Sequence, residues 1–197
     1  MRASLVIAFM SILAIAAAPA YAQSEKLFAV GVGISADRAL HRDDGWDRAI
    51  NYVVFRVPRP ERLGIAWDIG SRTDDVRLTS SAVDGSVRMR KVLFGPGYTW
   101  RRGRLELTAS ALVGPVFNRL DPVDGSTATS ATAKTSFGLQ PDLTCWIDLS
   151  ARWGFKLASY YFVTKPTLRV ATDQGTFETT HNARHVRLQA GIVWGFY

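Results

Sequence analysis

Cysteine is almost absent from this chain. Cys145 is the only one among 197 residues, so no disulfide can form within the chain. Its neighbours Leu143 and Trp146 indicate a packed thiol rather than a nucleophile. Long apolar runs are equally scarce: none after residue 22 is long enough for a transmembrane helix, and no later stretch has helical periodicity. These absences exclude a disulfide scaffold and disfavour a helical membrane protein.

The one long apolar run lies at the N-terminus. Residues 5–18 follow Arg2 and lead into the small-x-small sequence AYA. This pattern predicts a secretory signal peptide over residues 1–22, cleaved after Ala22, with residues 23–197 forming one domain. The alternative, an uncleaved membrane anchor, is disfavoured because the run is short, rich in alanine and followed by a cleavage pattern.

The chain is strongly basic. Its formal net charge is +7 and its isoelectric point about 9.9. An exported protein rarely meets nucleic acid, so no nucleic-acid partner is predicted, and anionic lipids are the expected partners. No metal and no cofactor are predicted, since the acidic stretch around Asp43, Asp44 and Asp47 lacks the alternating ligands of a calcium loop.

Apolar and polar residues alternate with a period of two in eight stretches, and these predict strands at 27–35, 51–57, 63–70, 91–100, 105–117, 133–148, 153–163 and 184–197. Tight and long connections alternate strictly. The tight ones are 58–62, 101–104 and 149–152, and the long ones are 36–49, 71–88, 118–132 and 164–183. The pattern predicts an all-β fold, an eight-stranded antiparallel up-and-down β-barrel with its long loops at one end. Pro96 and Pro115 each follow a glycine inside a strand and predict β-bulges, while Pro141 also interrupts a strand.

The last strand poses the question of which face meets lipid. Its alternate residues are apolar from Val186 to Phe196, and those between are small or polar except Val193. In the seven strands whose phase is clear, the apolar face carries no charge at mid-strand, as expected of a transmembrane barrel with that face toward lipid. Aromatic residues at the strand ends are predicted to lie at the membrane interface: Trp100, Trp153, Trp194 and Phe196. The alternative is a soluble barrel with an apolar interior.

In its signal peptide, eight strands, unequal connections and aromatic end GFY, the chain resembles the OmpA-like and OmpX-like eight-stranded outer-membrane barrels of Gram-negative bacteria. The resemblance implies location in the outer membrane and insertion by the outer-membrane assembly machinery, which reads the last strand. Trp194, Phe196 and Tyr197 would form that insertion signal. Members of the family mostly end in Phe, whereas here the apolar series is anchored on Phe196, one residue before the end.

The inward-facing positions collect charges of both signs. The predicted lumen charge network comprises Asp68, Lys91, Glu106, Lys134, Asp142, Lys156 and Arg187, with Asp148 and Arg56 as further candidates. Buried charges persist only when they are paired, so a plug of salt bridges is expected. The alternative is a narrow ion path lined by the same residues. A wide channel would need sixteen or more strands.

A lipid A-modifying enzyme is the alternative from another functional class, since some eight-stranded outer-membrane barrels have that activity. Ester chemistry would need a nucleophile with a base in reach. His41 and His181 fall in long connections and His185 begins the last strand, and no spacing places Ser136 or Ser159 beside them. We therefore predict no enzyme and assign no catalytic residue.

Arginine clusters indicate where the barrel could meet anionic lipid. One lies in the tight turns, near inner-leaflet headgroups: Arg59, Arg62, Arg101, Arg102 and Arg104. Another lies in the second long connection, facing lipopolysaccharide phosphates: Arg72, Arg77, Arg88 and Arg90. The sequence thus predicts a monomeric outer-membrane barrel with a structural or surface-interaction role in membrane integrity or adhesion.

Overall fold

The computed structural model describes residues 28–40, 45–56, 63–78, 83–122, 128–150 and 152–196. The predicted signal peptide, His41 and Tyr197 lie outside these ranges. Within them the strands are β1 (Phe28–Ala39), β2 (Asp47–Arg56), β3 (Leu63–Leu78), β4 (Val83–Arg102), β5 (Leu105–Pro122), β6 (Ala128–Ala133), β7 (Ser136–Asp148), β8 (Trp153–Thr164), β9 (Thr167–Thr172), β10 (Gly175–Thr180) and β11 (Ala183–Phe196). In this part of the chain we find no helix of the length and hydrophobicity that a membrane crossing requires.

Eight strands form one antiparallel sheet in the order β2-β1-β11-β8-β7-β5-β4-β3. Each corresponds to one of the eight predicted stretches. The first and last strands pair along their whole length, from Phe28 opposite Phe196 to Ala39 opposite His185. This pairing joins the first strand to the last, as in an up-and-down barrel, and among the described residues β2 and β3 form the two edges of the sheet. The predicted eight-stranded antiparallel transmembrane β-barrel is confirmed.

The apolar face points outward, as predicted. The side chains of Trp67, Leu139 and Ile192 are 59%, 50% and 54% exposed. Their neighbours along the strands point inward, where Gln140 and Val193 are each 1% exposed. An outward apolar band of this kind is suited to hydrocarbon and would be unfavourable in water.

The strands extend beyond the stretches in which apolar and polar residues alternate. β3 ends at Leu78 and β4 begins at Val83, so most of the predicted long loop 71–88 is a continued hairpin. That prediction was wrong because outward positions beyond the apolar band are polar, and the alternation disappears while the backbone pairing continues.

The third and fourth long connections were also predicted as loops, but they form a second sheet in the order β10-β9-β6. Leu168 and Val170 of β9 are each 1% exposed and belong to the same buried cluster as the inward side chains of β4 and β5. This outer sheet therefore packs on the interior of the barrel. We use "outer sheet" below for β6, β9 and β10.

The predicted β-bulges at Pro96 and Pro115 are wrong. The register of β4 against β5 is the same on both sides of the two prolines, with Lys91 opposite Val116 and Gly97 opposite Ser110. Proline lacks an N–H group and removes a ladder hydrogen bond, but here no residue is inserted. The pairings of β7 with β5 and β8 likewise keep one register past Pro141.

Candidate functional site in the barrel lumen

Lys91 lies at the centre of the lumen, on the inward face of β4, and is 9% exposed. Its Nζ lies 2.7 Å from Asp68 Oδ2 and donates to Gln140 Oε1 at 2.5 Å. Gln140 Nε2 in turn donates to Asp68 Oδ2 at 2.9 Å. The same ammonium lies 4.5 Å from the centroid of the Tyr160 ring and 5.0 Å from that of Phe162. A carboxylate, an amide and two ring faces thus replace the water lost on burial.

A second group of ion pairs links β3, at one edge of the sheet, to β1 and β11 near the other edge. Arg72 Nη1 lies 2.9 Å from Asp37 Oδ1, and Arg187 Nε lies 2.5 Å from the same oxygen. Arg72 Nε also reaches Asp74 Oδ1 at 3.3 Å. The guanidinium carbon of Arg187 lies 5.2 Å from the centroid of the Tyr160 ring. These contacts connect β3 to β1 and β11 through side chains.

Two histidines face the Asp74 carboxylate. His185 Nε2 lies 2.7 Å from Asp74 Oδ2, and the side chains are 1% and 4% exposed. His181 Nε2 lies 3.6 Å from the same oxygen. The backbone N–H of His181 donates to the Pro166 carbonyl at 3.0 Å, where the β9–β10 hairpin leaves the barrel. The cluster therefore joins the base of that hairpin to β3.

A third group of charges lies at the tight-turn end. Arg101 Nη2 donates to Asp148 Oδ2 at 2.9 Å, and its Nη1 lies 3.7 Å from Glu106 Oε2. Trp146 Nε1 donates to Asp148 Oδ1 at 2.9 Å. The indole lies against Gly154, where an added Cβ would meet its ring atoms at 2.8 Å. A tryptophan and an ion-paired triad thus occupy this end of the lumen.

A cavity of about 610 Å³ runs along the inward face between these groups. Its lining includes Lys156 and Asp142, and the Ser110 hydroxyl donates to the Asp142 carboxylate. The hydroxyls of Thr99 and Thr108 lie 2.9 Å apart on neighbouring strands. The part of the lumen nearer the tight turns is therefore narrow and lined by polar and charged side chains.

One side of the lumen, along β4 and β5, is apolar instead. Leu93, Leu112 and Val116 point inward and are at most 1% exposed. Gly138 marks where three side chains converge, since a Cβ there would lie 2.8 Å from Phe162, 2.9 Å from Val116 and 3.4 Å from Leu93. Only glycine leaves room for them at that position. This apolar filling was not predicted, because the inward face was expected to be small or polar, with Val193 as the exception.

The structure brings together most of the predicted lumen residues but not all. Asp68, Lys91, Glu106, Asp142, Lys156 and Arg187 line the cavity. Lys134 does not: it precedes β7, its side chain is 62% exposed, and its Nζ lies 3.1 Å from Glu178 Oε1. The prediction for Lys134 was wrong because strand β7 begins at Ser136, three residues later than expected.

The arginines of the two predicted clusters do not all face outward, because neighbouring residues of a strand point to opposite faces of the sheet. Arg72 points into the lumen and Arg101 into the triad with Asp148, so neither faces lipid. Arg88 and Arg90 are exposed, but they lie on the outward face of β4 rather than in the predicted loop, and Arg102 is exposed beside the tight turn. Arg59 and Arg62 lie outside the described residues, as does the side chain of Arg77.

The interfacial aromatics lie at the tight-turn end. Trp100 and Trp153 are 41% and 51% exposed. Trp153 is the register partner of Trp194, which is itself half-buried. Phe196 ends β11, and its side chain lies outside the described part of the structure, so the predicted insertion signal stays a prediction.

Sequence reasoning missed several lumen residues that could have been found. Asp37 continues the inward phase of the first strand, and Arg72 and Asp74 continue that of the third, but both strands were ended too early.

In the residues that the structure describes, no group of three or more His, Cys, Asp and Glu side chains is placed to hold a metal ion.

A lipid-facing apolar band, a strand order that joins first to last and a filled narrow lumen define a small outer-membrane β-barrel. Solved structures of this class share the fold. OprG from Pseudomonas aeruginosa superposes with a TM-score of 0.60 at 10% identity, covering 89% of this chain and 98% of OprG. Neisserial surface protein A gives 0.51 at 16% identity, covering 86% and 97%. Outer-membrane protein AlkL gives 0.51 at 11% identity, covering 91% and 94%. No protein-family model and no curated protein matches the sequence.

The OmpA-like and OmpX-like resemblance is thereby confirmed as a shared fold. The fold and its outward apolar band are those of outer-membrane barrels, a class whose short turns lie on the periplasmic side and whose longer connections lie outside.

Proposed function

We propose that the protein is a non-conducting structural barrel that displays the outer sheet as an interaction surface on the cell. The observation that carries the first half is the filling of the lumen at the height of Lys91. Leu93, Leu112 and Val116 fill one side of it and are each at most 1% exposed. On the other side at this height Lys91 is paired with Asp68 and Gln140, so an ion crossing here would lose its hydration and would have to displace these partners.

The outer sheet supports the second half of the proposal. Its inner face is buried through Leu168 and Val170, which fixes its position on the barrel. Its other face is exposed and polar: Thr132, Arg169 and Glu178 are register partners across the three strands. A rigid polar face outside the membrane is suited to contact with another surface, such as a matrix component or a neighbouring cell.

A non-enzymatic role fits the polar groups of the interior. Both described histidines face the Asp74 carboxylate, and Ser136 Oγ lies 2.8 Å from Thr164 Oγ1. Ser159 lies on the outward phase of β8, among lipid-facing side chains. We further propose that the barrel is monomeric, and that outer-membrane lipids, lipopolysaccharide and the assembly machinery are its partners.

Planar-bilayer recording tests the closed lumen. The refolded protein should give no conductance steps, whereas Leu93→Ala combined with Phe162→Ala should open the apolar layer and produce them. Steps from the unmodified protein would contradict the proposal. The surface role is tested by comparing attachment of cells displaying the protein with that of cells displaying Arg169→Ala and Glu178→Ala. Equal attachment would count against it.

A narrow ion path is the second candidate, and the polar cavity of about 610 Å³ favours it. Lys156 and Glu106 line that cavity. If the path conducts, Lys156→Ala or Glu106→Ala should abolish or alter the steps seen with the unmodified protein. The structural role predicts no steps to alter.

A further inference from the structure

Three arginines form a cluster on the outward face of the barrel. Arg88 and Arg119 are direct register partners on β4 and β5, and Arg90 is the register partner of Phe117 on the same face. The side chains of Arg88 and Arg119 are 47% and 76% exposed, and Arg90 is exposed as well. We call these three residues the arginine cluster.

The cluster lies where the apolar band ends. Along β4, Arg90 is the first outward-facing residue beyond Val92, and along β5, Arg119 is the first beyond Phe117. Val92 and Phe117 are 38% and 52% exposed and belong to the lipid-facing band. The guanidinium groups therefore lie at the height of the headgroups of the outer leaflet.

The cluster holds more positive charge than its neighbours offset. Arg119 Nε lies 2.7 Å from Asp121 Oδ1, and Arg88 Nη2 lies 3.8 Å from the second oxygen of that carboxylate. Asp75 of β3 is the register partner of Ser86, two residues beyond Arg88 on β4. Among the described residues no carboxylate is paired with Arg90. Like charges directly opposite each other on neighbouring strands are unfavourable. Asp121 offsets part of the repulsion between Arg88 and Arg119, and with Arg90 added the cluster as a whole favours an anionic ligand.

We propose that Arg88, Arg90 and Arg119 bind the phosphate groups of the phosphorylated glycolipid of the outer leaflet. Guanidinium groups donate paired hydrogen bonds to phosphate oxygens, and three of them on one face can surround a headgroup. The exposed ring of Phe117 lies next to Arg90 and contacts the acyl chains below that headgroup. This inference rests on the lipopolysaccharide partner proposed above and gives it a site, while the closed lumen and the outer sheet are tested separately by conductance and cell attachment.

Native mass spectrometry of the full mature protein tests this site. The protein is reconstituted in phosphatidylcholine nanodiscs containing bis-phosphoryl lipid A, monophosphoryl lipid A or phosphatidylglycerol, and then released for measurement. The unmodified protein should retain bis-phosphoryl lipid A in preference to the other two lipids. Arg90→Gln combined with Arg119→Gln should weaken that binding about tenfold, and added salt should weaken it in the unmodified protein.

The matched control is Arg102→Gln combined with Arg152→Gln, which removes the same charge from exposed positions at the tight-turn end. It should bind lipid A as the unmodified protein does. Heat-modifiable gel mobility shows that each variant is folded. Equal binding by the Arg90/Arg119 variant, or equal retention of phosphatidylglycerol and lipid A by the unmodified protein, would overturn the proposal.

Discussion

Lys91 Nζ lies 2.7 Å from Asp68 Oδ2 in the middle of the lumen, and the two side chains are 11% and 31% exposed. The pair joins β4 to β3, whose register places Asp68 opposite Leu93. An ionic contact and an apolar layer thus occupy the same height in the barrel. The lumen is filled by two kinds of interaction rather than by salt bridges alone.

Replacing Lys91 with methionine should destabilise the barrel by about 2–3 kcal/mol, because it leaves the Asp68 carboxylate without its cation; the partial exposure of Asp68 keeps the cost below that of a fully buried pair. Urea-dependent unfolding in phosphatidylcholine vesicles measures the change. The double variant Lys91→Met/Asp68→Leu should recover most of the lost stability, since both charges are removed together. A double variant as unstable as the single one would show that the pair is not the cause.

Gly154→Ala should disturb Trp146, because the added methyl would lie 2.8 Å from its indole ring. We expect a loss of about 1–3 kcal/mol from overpacking and faster exchange of the indole N–H, which donates to Asp148. NMR hydrogen exchange and urea unfolding measure the two effects. Gly64→Ala is the control, since nothing lies within 4 Å of a Cβ there. Similar losses in both variants would argue against the packing of Trp146 on Gly154.

Leu143→Arg should reduce insertion and stability by about 2–4 kcal/mol, because Leu143 is 51% exposed on the lipid-facing side of β7. Thr132→Arg places the same side chain on the exposed face of the outer sheet and should have little effect. Folded fraction on gels and urea unfolding in vesicles give the comparison. If the two variants behave alike, the outward face of β7 does not meet hydrocarbon.

The pKa of Glu178 should respond to Lys134. The hydrogen bond and charge of Lys134, aided by Arg169, hold the pKa of this carboxyl below its ordinary value of 4.5. The pair therefore stabilises the outer sheet above that ordinary value, and its contribution is lost as pH falls through the lowered pKa. In Lys134→Ala the pKa should rise toward 4.5, as measured by carbon NMR of the carboxyl. Lys165→Ala, which removes an exposed lysine of the same end, should leave it unchanged.

The membrane-spanning part of the fold could be predicted because lipid imposes a simple rule. Alternate residues such as Trp67 and Ile192 must be apolar, and the period of two follows directly from strand geometry. The ends of the strands could not be found in the same way. Beyond the band, Thr73 and Asp75 face water on the outward side, although their backbone pairing with β4 continues.

The content of the lumen was only partly predictable. Phase alone identified Lys91 and Asp68 as inward-facing, but their pairing depends on how β3 and β4 are aligned. Leu93 and Val116 also have the inward phase. The sequence of an apolar strand segment does not predict which side chain it contacts across the lumen. Their contact with Phe162 follows from the arrangement of three separate strands, which local sequence does not encode.

The pairing of β1 with β11 has a consequence for biogenesis. Phe28 of β1 pairs with Phe196 of β11, so on that side β1 has no partner until the last strand has been synthesised. Contacts so distant along the chain form slowly, and the exposed edge would be prone to aggregate in the meantime. The sheet therefore cannot be completed along this seam until the last residues of the chain have been synthesised.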